Sequence, residues 1–216
     1  MKSPAITSLY SELVPAAVSS KKLLIVLHGL GDSIEGYRFL PDFLGFRDLN
    51  YLLVNAPDAY FTGHSWFDLD GNIGPGVQRS RVMLTQTLDG LLEKGWLPGN
   101  IGLFGFSQGA LMSLDVGLRY RERLASIIAI SGFVYDVEKL PAELGPRAPE
   151  VPILVTHGTF DPLLPLSVTK AQITEMRKFG LNIRWEEYPK EHTIDPVKEA
   201  GDIRDFLRKT LHVGKA

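Results

Sequence analysis

The sequence predicts an α/β fold with a mainly parallel central sheet. Short, nearly continuous apolar runs recur at 21–27, 51–54, 101–106, 125–131 and 151–157. Such runs are typical of strands that are buried on both faces of a parallel sheet. Segments with helical periodicity separate most of these runs, and this alternation favours strands joined by crossover helices. Helices are therefore expected on both faces of the sheet.

The remaining elements are predicted from periodicity and from chain-breaking residues. An edge strand is expected at 5–14, ending at Pro15, and a second one at 183–188, where apolar and polar residues alternate. The segments 58–76 and 133–150 are punctuated by Gly or Pro and are predicted to be irregular, the latter too short for a separate lid domain. Helices are expected at 36–43, 77–94, 107–120, 167–179 and 196–211.

Composition limits the classes of function. A chain of 216 residues with 44% hydrophobic content predicts a single domain over 1–216. The net charge of −2 and the lack of a basic cluster argue against a nucleic-acid partner. The absence of cysteine excludes disulfides, thiolate nucleophiles and thiolate metal sites. No apolar stretch approaches the roughly 20 residues of a membrane span, so a soluble, cytoplasmic protein is expected.

The segment 101–110 carries the strongest chemical signal. An apolar strand leads into Gly105, a helix-compatible run follows Gly109, and Ser107 lies between them. This Gly-x-Ser-x-Gly pattern between a strand and a helix is typical of a nucleophile elbow, in which the serine stands on a tight turn above the sheet. The alternative is a structural turn whose serine only caps the helix.

A serine nucleophile requires a general base and an orienting carboxylate. On sheets of this kind the acid and the histidine follow the serine in that order. His192 follows the last predicted strand, and Asp161 follows the strand before it. We therefore predict Ser107 as nucleophile, His192 as general base and then acid, and Asp161 as its orienter. Alternatively, Asp161 before Pro162 is a turn residue and His192 a surface histidine.

The developing oxyanion requires two hydrogen-bond donors. The amide of Gln108, directly after the serine, is predicted to be one, and the amide of Leu30, in the glycine-containing loop 28–32, the other. Trp66 lies in the irregular segment 58–76. It is predicted either to form a wall of the substrate pocket or to anchor the loop by packing.

Several motifs together resemble those of the phospholipase/carboxylesterase family, which includes acyl-protein thioesterases, lysophospholipases and bacterial carboxylesterases. They are, in order, Leu-His-Gly-Leu-Gly-Asp at 27–32, Ser-Trp-Phe-Asp at 65–68, Gly-Phe-Ser-Gln-Gly at 105–109, His-Gly-Thr-Phe-Asp at 157–161, and His192. The resemblance covers nearly the whole chain. It implies an α/β-hydrolase fold, hydrolysis without metal or cofactor, the same triad, and Leu30 and Gln108 as oxyanion donors. The family also contains homodimers.

Two positions depart from the family pattern. Ala110 stands where a second glycine is usual, and Glu191 precedes His192 where the family usually has glycine. The histidine loop is therefore expected to differ in shape.

These observations predict a serine carboxylesterase that acts on small-molecule esters with short-to-medium acyl groups. A lysophospholipase or acyl-protein thioesterase is the alternative within the same chemistry. A non-catalytic ligand-binding protein with the same fold is the alternative of another class.

Overall fold

The computed structural model describes residues 9–214. Within that range, seven strands form a central sheet and two form a separate hairpin. The strands are β1 (Ser11–Val14), β2 (Leu23–Leu27), β3 (Asn50–Val54), β4 (Asp58–Tyr60), β5 (Gly63–Ser65), β6 (Ile101–Phe106), β7 (Ser126–Ile130), β8 (Ile153–Gly158) and β9 (Ile183–Tyr188). The α-helices are α1 (Leu40–Leu44), α2 (Gly74–Glu93), α3 (Gln108–Arg119), α4 (Leu140–Glu143), α5 (Leu166–Lys178) and α6 (Lys198–Thr210).

The central sheet has the strand order β1-β3-β2-β6-β7-β8-β9. The edge strand β1 is antiparallel to β3, and every other pair is parallel. Because parallel strands end at one edge of the sheet, the loops that follow β2, β6, β8 and β9 emerge on the same side. The predicted fold class is confirmed.

The side chains of the strands build two cores, one on each face of the sheet. In β2, Leu23, Ile25 and Leu27 belong to the core that also contains residues of α2, α3 and α5, whereas Leu24 and Val26 belong to the core that contains residues of α1 and α6. All five are buried. Because burial of a Leu, Ile or Val side chain stabilises the folded state by roughly 1.5–3 kcal/mol, the run is apolar at every position. Helices therefore cover both faces, as predicted.

The structure differs from the predictions mainly in the short elements. The segment expected to be irregular at 58–76 contains the antiparallel hairpin of β4 and β5 and the start of α2, which begins at Gly74 because Pro75 suits a first helical turn. The helix expected at 36–43 is a 3₁₀ turn, Ile34–Tyr37, followed by α1.

The other boundaries move by a few residues. The predicted edge strand at 5–14 is described only from residue 9, and β1 ends before Pro15. The segment 133–150 holds α4 and a 3₁₀ turn, and no part of residues 9–214 forms a separate lid.

No helix within residues 9–214 has both the length and the apolar character needed to cross a bilayer.

Candidate active site

Ser107 lies on a sharp turn between β6 and α3. Its backbone has φ 55° and ψ −117°, a strained conformation for a residue with a side chain. The turn is held because the Ser107 amide donates to the Ile130 carbonyl at 2.9 Å. A Cβ at Gly105 would overlap the carbonyl oxygen of Gly109, and one at Gly109 would overlap that of Leu27. Both glycines are therefore required for β6, α3 and the end of β2 to approach one another.

The three residues predicted from the chain order lie side by side. His192 Nε2 is 3.0 Å from Ser107 Oγ, and His192 Nδ1 is 2.7 Å from Asp161 Oδ2. The residues follow β6, β8 and β9, so the shared sheet edge places them together. In the tautomer with hydrogen on Nδ1, His192 can donate to Asp161 and accept the serine proton at Nε2.

The Asp161 carboxylate is buried and held by the loop after β8. Its Oδ1 accepts hydrogen bonds from the amides of Leu163 and Leu164, both at 2.9 Å. Burial acts to raise the pKa of Asp161, but these amides and His192 outweigh it and hold the pKa below its usual value. The carboxylate is therefore ionised at neutral pH and can stabilise a protonated His192.

His157 supports the same loop from the end of β8. Its Nε2 donates to the Leu164 carbonyl at 2.8 Å and lies 3.6 Å from Asp161 Oδ2. Burial lowers the pKa of His157, which keeps this imidazole neutral. It can hold the Asp161 loop in place while His192 contacts the serine.

A buried ion pair fixes the loop that carries His192. Lys190 Nζ donates to both carboxylate oxygens of Glu199, at 2.6 and 2.7 Å, and to the Thr193 carbonyl at 2.7 Å. Lys190 is 6% exposed and Glu199 is fully buried. Glu199 also accepts from the Asp195 amide at 2.8 Å. The loop that departs from the family pattern before His192 is thus tied to the first turn of α6.

Two residues beside the serine have backbone amides with no acceptor in the described part of the chain. Leu30 and Gln108 line the same cleft as Ser107. Within residues 9–214, neither amide donates to a backbone carbonyl or a side chain in a hydrogen bond. Gln108 begins α3, so its amide also carries the positive end of the helix dipole. Both amides are available to stabilise an oxyanion.

The loop that presents Leu30 is organised by a buried histidine. His28 Nε2 accepts from the Ala56 amide at 3.0 Å, and Nδ1 donates to the Gly29 carbonyl at 2.6 Å. Burial lowers the pKa of His28, so it stays neutral and fulfils both roles. His28 therefore orders the loop 28–32 at the end of β2.

The prediction that Trp66 forms a wall of the substrate pocket is corrected by its burial. Trp66 is 0% exposed and does not line the cleft. Its indole donates to the His28 carbonyl at 2.9 Å, and its amide donates to Gln108 Oε1 at 3.0 Å. Gln108 Nε2 in turn donates to the Phe67 carbonyl at 2.8 Å. Trp66 therefore anchors both segments that carry the free amides, which is the packing alternative.

The cleft above Ser107 has a volume of about 440 Å³ and is predominantly apolar. Sequence reasoning did not find most of the residues that line it, because they come from separate loops. Its walls are formed by Gly29, Leu30, Asp32, Leu69, Phe106, Ser107, Gln108, Phe133, Leu163, Leu164 and His192. Among residues 9–214, no three His, Asp or Glu side chains converge on a point that could hold a metal ion.

Comparison with known proteins agrees with this geometry. The family model described as Phospholipase/Carboxylesterase matches residues 9–211. Acyl-protein thioesterase 1 of Schizosaccharomyces pombe is 34% identical over 176 residues, which cover 76% of this chain and 79% of that protein. Acyl-protein thioesterase 1 of Aspergillus fumigatus is 27% identical over 92% of both chains.

Solved structures show the same similarity. The crystal structure of esterase PE8 superposes with a TM-score of 0.86 at 30% identity, covering 95% of this chain and all of that one. The resemblance predicted from the motifs is thereby confirmed: the chain belongs to the phospholipase/carboxylesterase family of α/β hydrolases.

Proposed function

We propose that this protein is a serine carboxylesterase that hydrolyses short-to-medium acyl esters through an acyl-Ser107 intermediate. The observation that carries the proposal is the hydrogen-bonded chain from Ser107 Oγ through His192 to Asp161, with distances of 3.0 and 2.7 Å. The free amides of Leu30 and Gln108 beside it supply the second requirement of acyl transfer, the stabilisation of the oxyanion.

In the acylation step, Ser107 Oγ attacks the ester carbonyl while His192 Nε2 takes its proton. The carbonyl oxygen becomes an oxyanion that accepts hydrogen bonds from the amides of Leu30 and Gln108. Asp161 stabilises the imidazolium form of His192. The bond between the acyl carbon and the leaving oxygen then breaks, and that oxygen takes the proton from Nε2.

Deacylation repeats these steps with water as the nucleophile. His192 Nε2 takes a proton from water, the hydroxide attacks the acyl carbon, and the carboxylic acid leaves as Ser107 recovers its proton. His192 must keep its position through both steps, because the same nitrogen accepts and donates the proton in each. The ion pair between Lys190 and Glu199 favours this by fixing the loop that carries His192.

The walls of the cleft support a short-to-medium acyl group. Leu30, Leu69 and Phe133 provide apolar contacts, but Leu69 is 53% exposed and Leu163 is 67% exposed. A chain that extends past them would lie partly in water and gain little from further methylene groups, since each contributes about 0.8 kcal/mol only where it is buried.

Hydrolysis of p-nitrophenyl esters from two to sixteen carbons tests the proposal, with Ser107→Ala as the control. We expect kcat/KM to peak at a short or middle chain length, and the activity to disappear in the variant. Turnover that persists in Ser107→Ala would overturn the assignment of the nucleophile.

An acyl-protein thioesterase is the second candidate, and one structural feature favours it. An apolar depression of about 150 Å³, lined by Phe133, Leu164, Pro165, Val168 and Thr169, shares two of its walls with the cleft. It lengthens the apolar surface along which an acyl chain could lie. The fungal relatives named acyl-protein thioesterase 1 support the same alternative.

Paired substrates distinguish the two candidates. An oxoester and a thioester with the same acyl chain are compared at eight and at sixteen carbons. The carboxylesterase predicts comparable turnover of the two eight-carbon substrates and a decline at sixteen carbons, whereas a thioesterase predicts a preference for the sixteen-carbon thioester.

A further inference from the structure

A second cavity lies against His192 and adjoins the cleft above Ser107. Its volume is about 260 Å³. This is slightly below the usual range for complete small-molecule sites, and it suits a fragment of a substrate. The side chains that define it are mostly aromatic: Asp32, Tyr37, Phe39, Phe43, Phe106 and Ile194.

The position of this cavity relates it to one half of the substrate. Asp32, Phe106 and His192 line both the cleft and the second cavity, and the rings of Phe106 and His192 lie 4.9 Å apart. Ser107, Leu30 and Gln108 line the cleft only. The second cavity therefore adjoins the proton-transfer residue without adjoining the nucleophile or the oxyanion donors.

The chemistry of acyl transfer relates a cavity beside His192 to the leaving group of the substrate. The oxygen or sulfur of the leaving group takes its proton from His192 Nε2, so the leaving group passes beside the imidazole. The acyl half of the substrate stays with Ser107 and the oxyanion donors. A cavity that has His192 as a wall and excludes Ser107 is therefore accessible to the leaving group rather than to the acyl group.

The charge in this cavity points to the kind of leaving group. Asp32 is the only Asp, Glu, Lys or Arg among its lining residues. Within residues 9–214, Asp32 forms no ion pair, and its carboxylate accepts one hydrogen bond, from the Ser33 amide to Oδ1. Arg38, six positions after Asp32 in the sequence, is engaged with Glu12 and Glu35. Asp32 is thus an uncompensated negative charge.

Two further features fit a cation beside Asp32. A Cβ at Gly36 would overlap the Asp32 carboxylate, so the carboxylate can occupy its position at the cavity only because residue 36 has no side chain. The rings of Phe39 and Phe43 meet edge to face at 5.5 Å, and Tyr37 and Phe106 add further aromatic surface. Aromatic faces attract ammonium groups, most strongly where water is partly excluded.

We propose that this cavity is a leaving-group subsite for alcohols or thiols whose short apolar body ends in an ammonium group. The inference rests on the proposed esterase function and specifies its substrate class. The apolar body would contact Phe106 and Ile194, and the ammonium group would lie between Asp32 and the aromatic rings.

A pair of isosteric esters tests the subsite. Butyrylcholine and 3,3-dimethylbutyl butyrate share the acyl group and the shape of the leaving group and differ in the positive charge. We expect wild-type kcat/KM to be roughly tenfold higher for the cationic ester, in line with a partly screened carboxylate and a cation–π contact. In Asp32→Asn this ratio should fall to about one, whereas the same loss of charge in Asp205→Asn, on the exposed face of α6, should leave it unchanged.

The ratio within each variant is the readout, so a general loss of activity does not decide the result. A wild-type ratio near one, or a ratio that survives in Asp32→Asn, would overturn the subsite, and turnover of methyl butyrate would show that the esterase function still stands. If no ester is hydrolysed, the proposed function fails. Calorimetric titration with free choline and with 3,3-dimethylbutanol then decides the subsite: selective binding of choline supports it, and equal or absent binding overturns it.

Discussion

Replacing Glu199 by Gln removes the counter-ion of Lys190, and we expect this change to destabilise the protein strongly. Lys190 Nζ lies 2.6 and 2.7 Å from the two carboxylate oxygens, and both side chains are almost completely buried. The variant would leave a buried ammonium group without a partner charge. Breaking such a pair costs about 3–5 kcal/mol in the free energy of unfolding, which in a protein of this size corresponds to a decrease in Tm of about 6–20 °C.

The dependence of stability on pH provides a second, independent test of this prediction. Burial lowers the pKa of Lys190 in the folded protein despite the attraction of Glu199. The unfolded chain therefore binds a proton that the folded protein releases more easily, and stability increases as pH rises through the lowered pKa. Without Glu199 the Lys190 pKa falls further, so the difference in stability between the wild type and Glu199→Gln should decrease between pH 7 and pH 9.

Thermal unfolding followed by circular dichroism provides the measurement. Glu175→Gln is the matched control, because Glu175 pairs with Lys178 on the exposed face of α5 and its loss should shift Tm by less than about 2 °C. The double variant Lys190→Met with Glu199→Gln should regain most of the lost stability, since it buries no unpaired charge. A Glu199→Gln variant no less stable than Glu175→Gln would refute the reasoning.

Three other perturbations follow from the structure. Asp161→Asn should lower kcat by roughly 10⁴-fold, because an amide that faces His192 Nδ1 favours the wrong tautomer; steady-state kinetics with unchanged kcat would contradict this. Gly109→Ala should lower the free energy of unfolding by about 3 kcal/mol or more, because the new Cβ overlaps the Leu27 carbonyl. Gly90→Ala has open space around it in α2 and should raise the free energy of unfolding by about 0.5–1 kcal/mol. Chemical denaturation that finds the two variants equally stable would refute the packing argument. Burial lowers the pKa of His28 and His157, so the unfolded chain takes up protons at a higher pH than the folded protein, and Tm should fall as pH drops below about 6.5. If the change in Tm between pH 7 and pH 5 is no smaller in His28→Gln than in the wild type, His28 is not a source of this pH dependence.

The sequence was sufficient where the physical constraint is local. The turn at Ser107 needs two residues without Cβ at fixed offsets, and Gly105 and Gly109 show this need directly. The buried strands are similar, because burial on both faces leaves an apolar run that can be found without knowing its neighbours. The order of Ser107, Asp161 and His192 could be predicted because the sheet edge, rather than the loop details, determines where they meet.

The sequence was insufficient where a contact joins distant segments. The sequence predicts a loop around Trp66, but nothing local indicates that its indole donates to the His28 carbonyl. Lys190 and Glu199 are charged and nine positions apart, a combination more often found on the surface than in a core. The strands of the hairpin β4–β5 have three residues each, too few for periodicity to detect.

The cleft walls illustrate the same limit. Leu69, Phe133 and Leu163 come from three loops that only the tertiary fold brings together. The second cavity combines residues from the 3₁₀ turn after β2, from α1 and from the segment after His192. Neither set has a spacing in the sequence that would predict it.

Reaction with a fluorophosphonate, followed by peptide mass spectrometry, tests the assignment of Ser107 most directly, because the reagent forms a stable adduct only with an activated serine. We expect one adduct per chain, located on Ser107, with no labelling in Ser107→Ala and much slower labelling in His192→Gln. An unlabelled wild-type protein, or an adduct on a different serine, would contradict the proposed chemistry and favour a ligand-binding protein with the same fold.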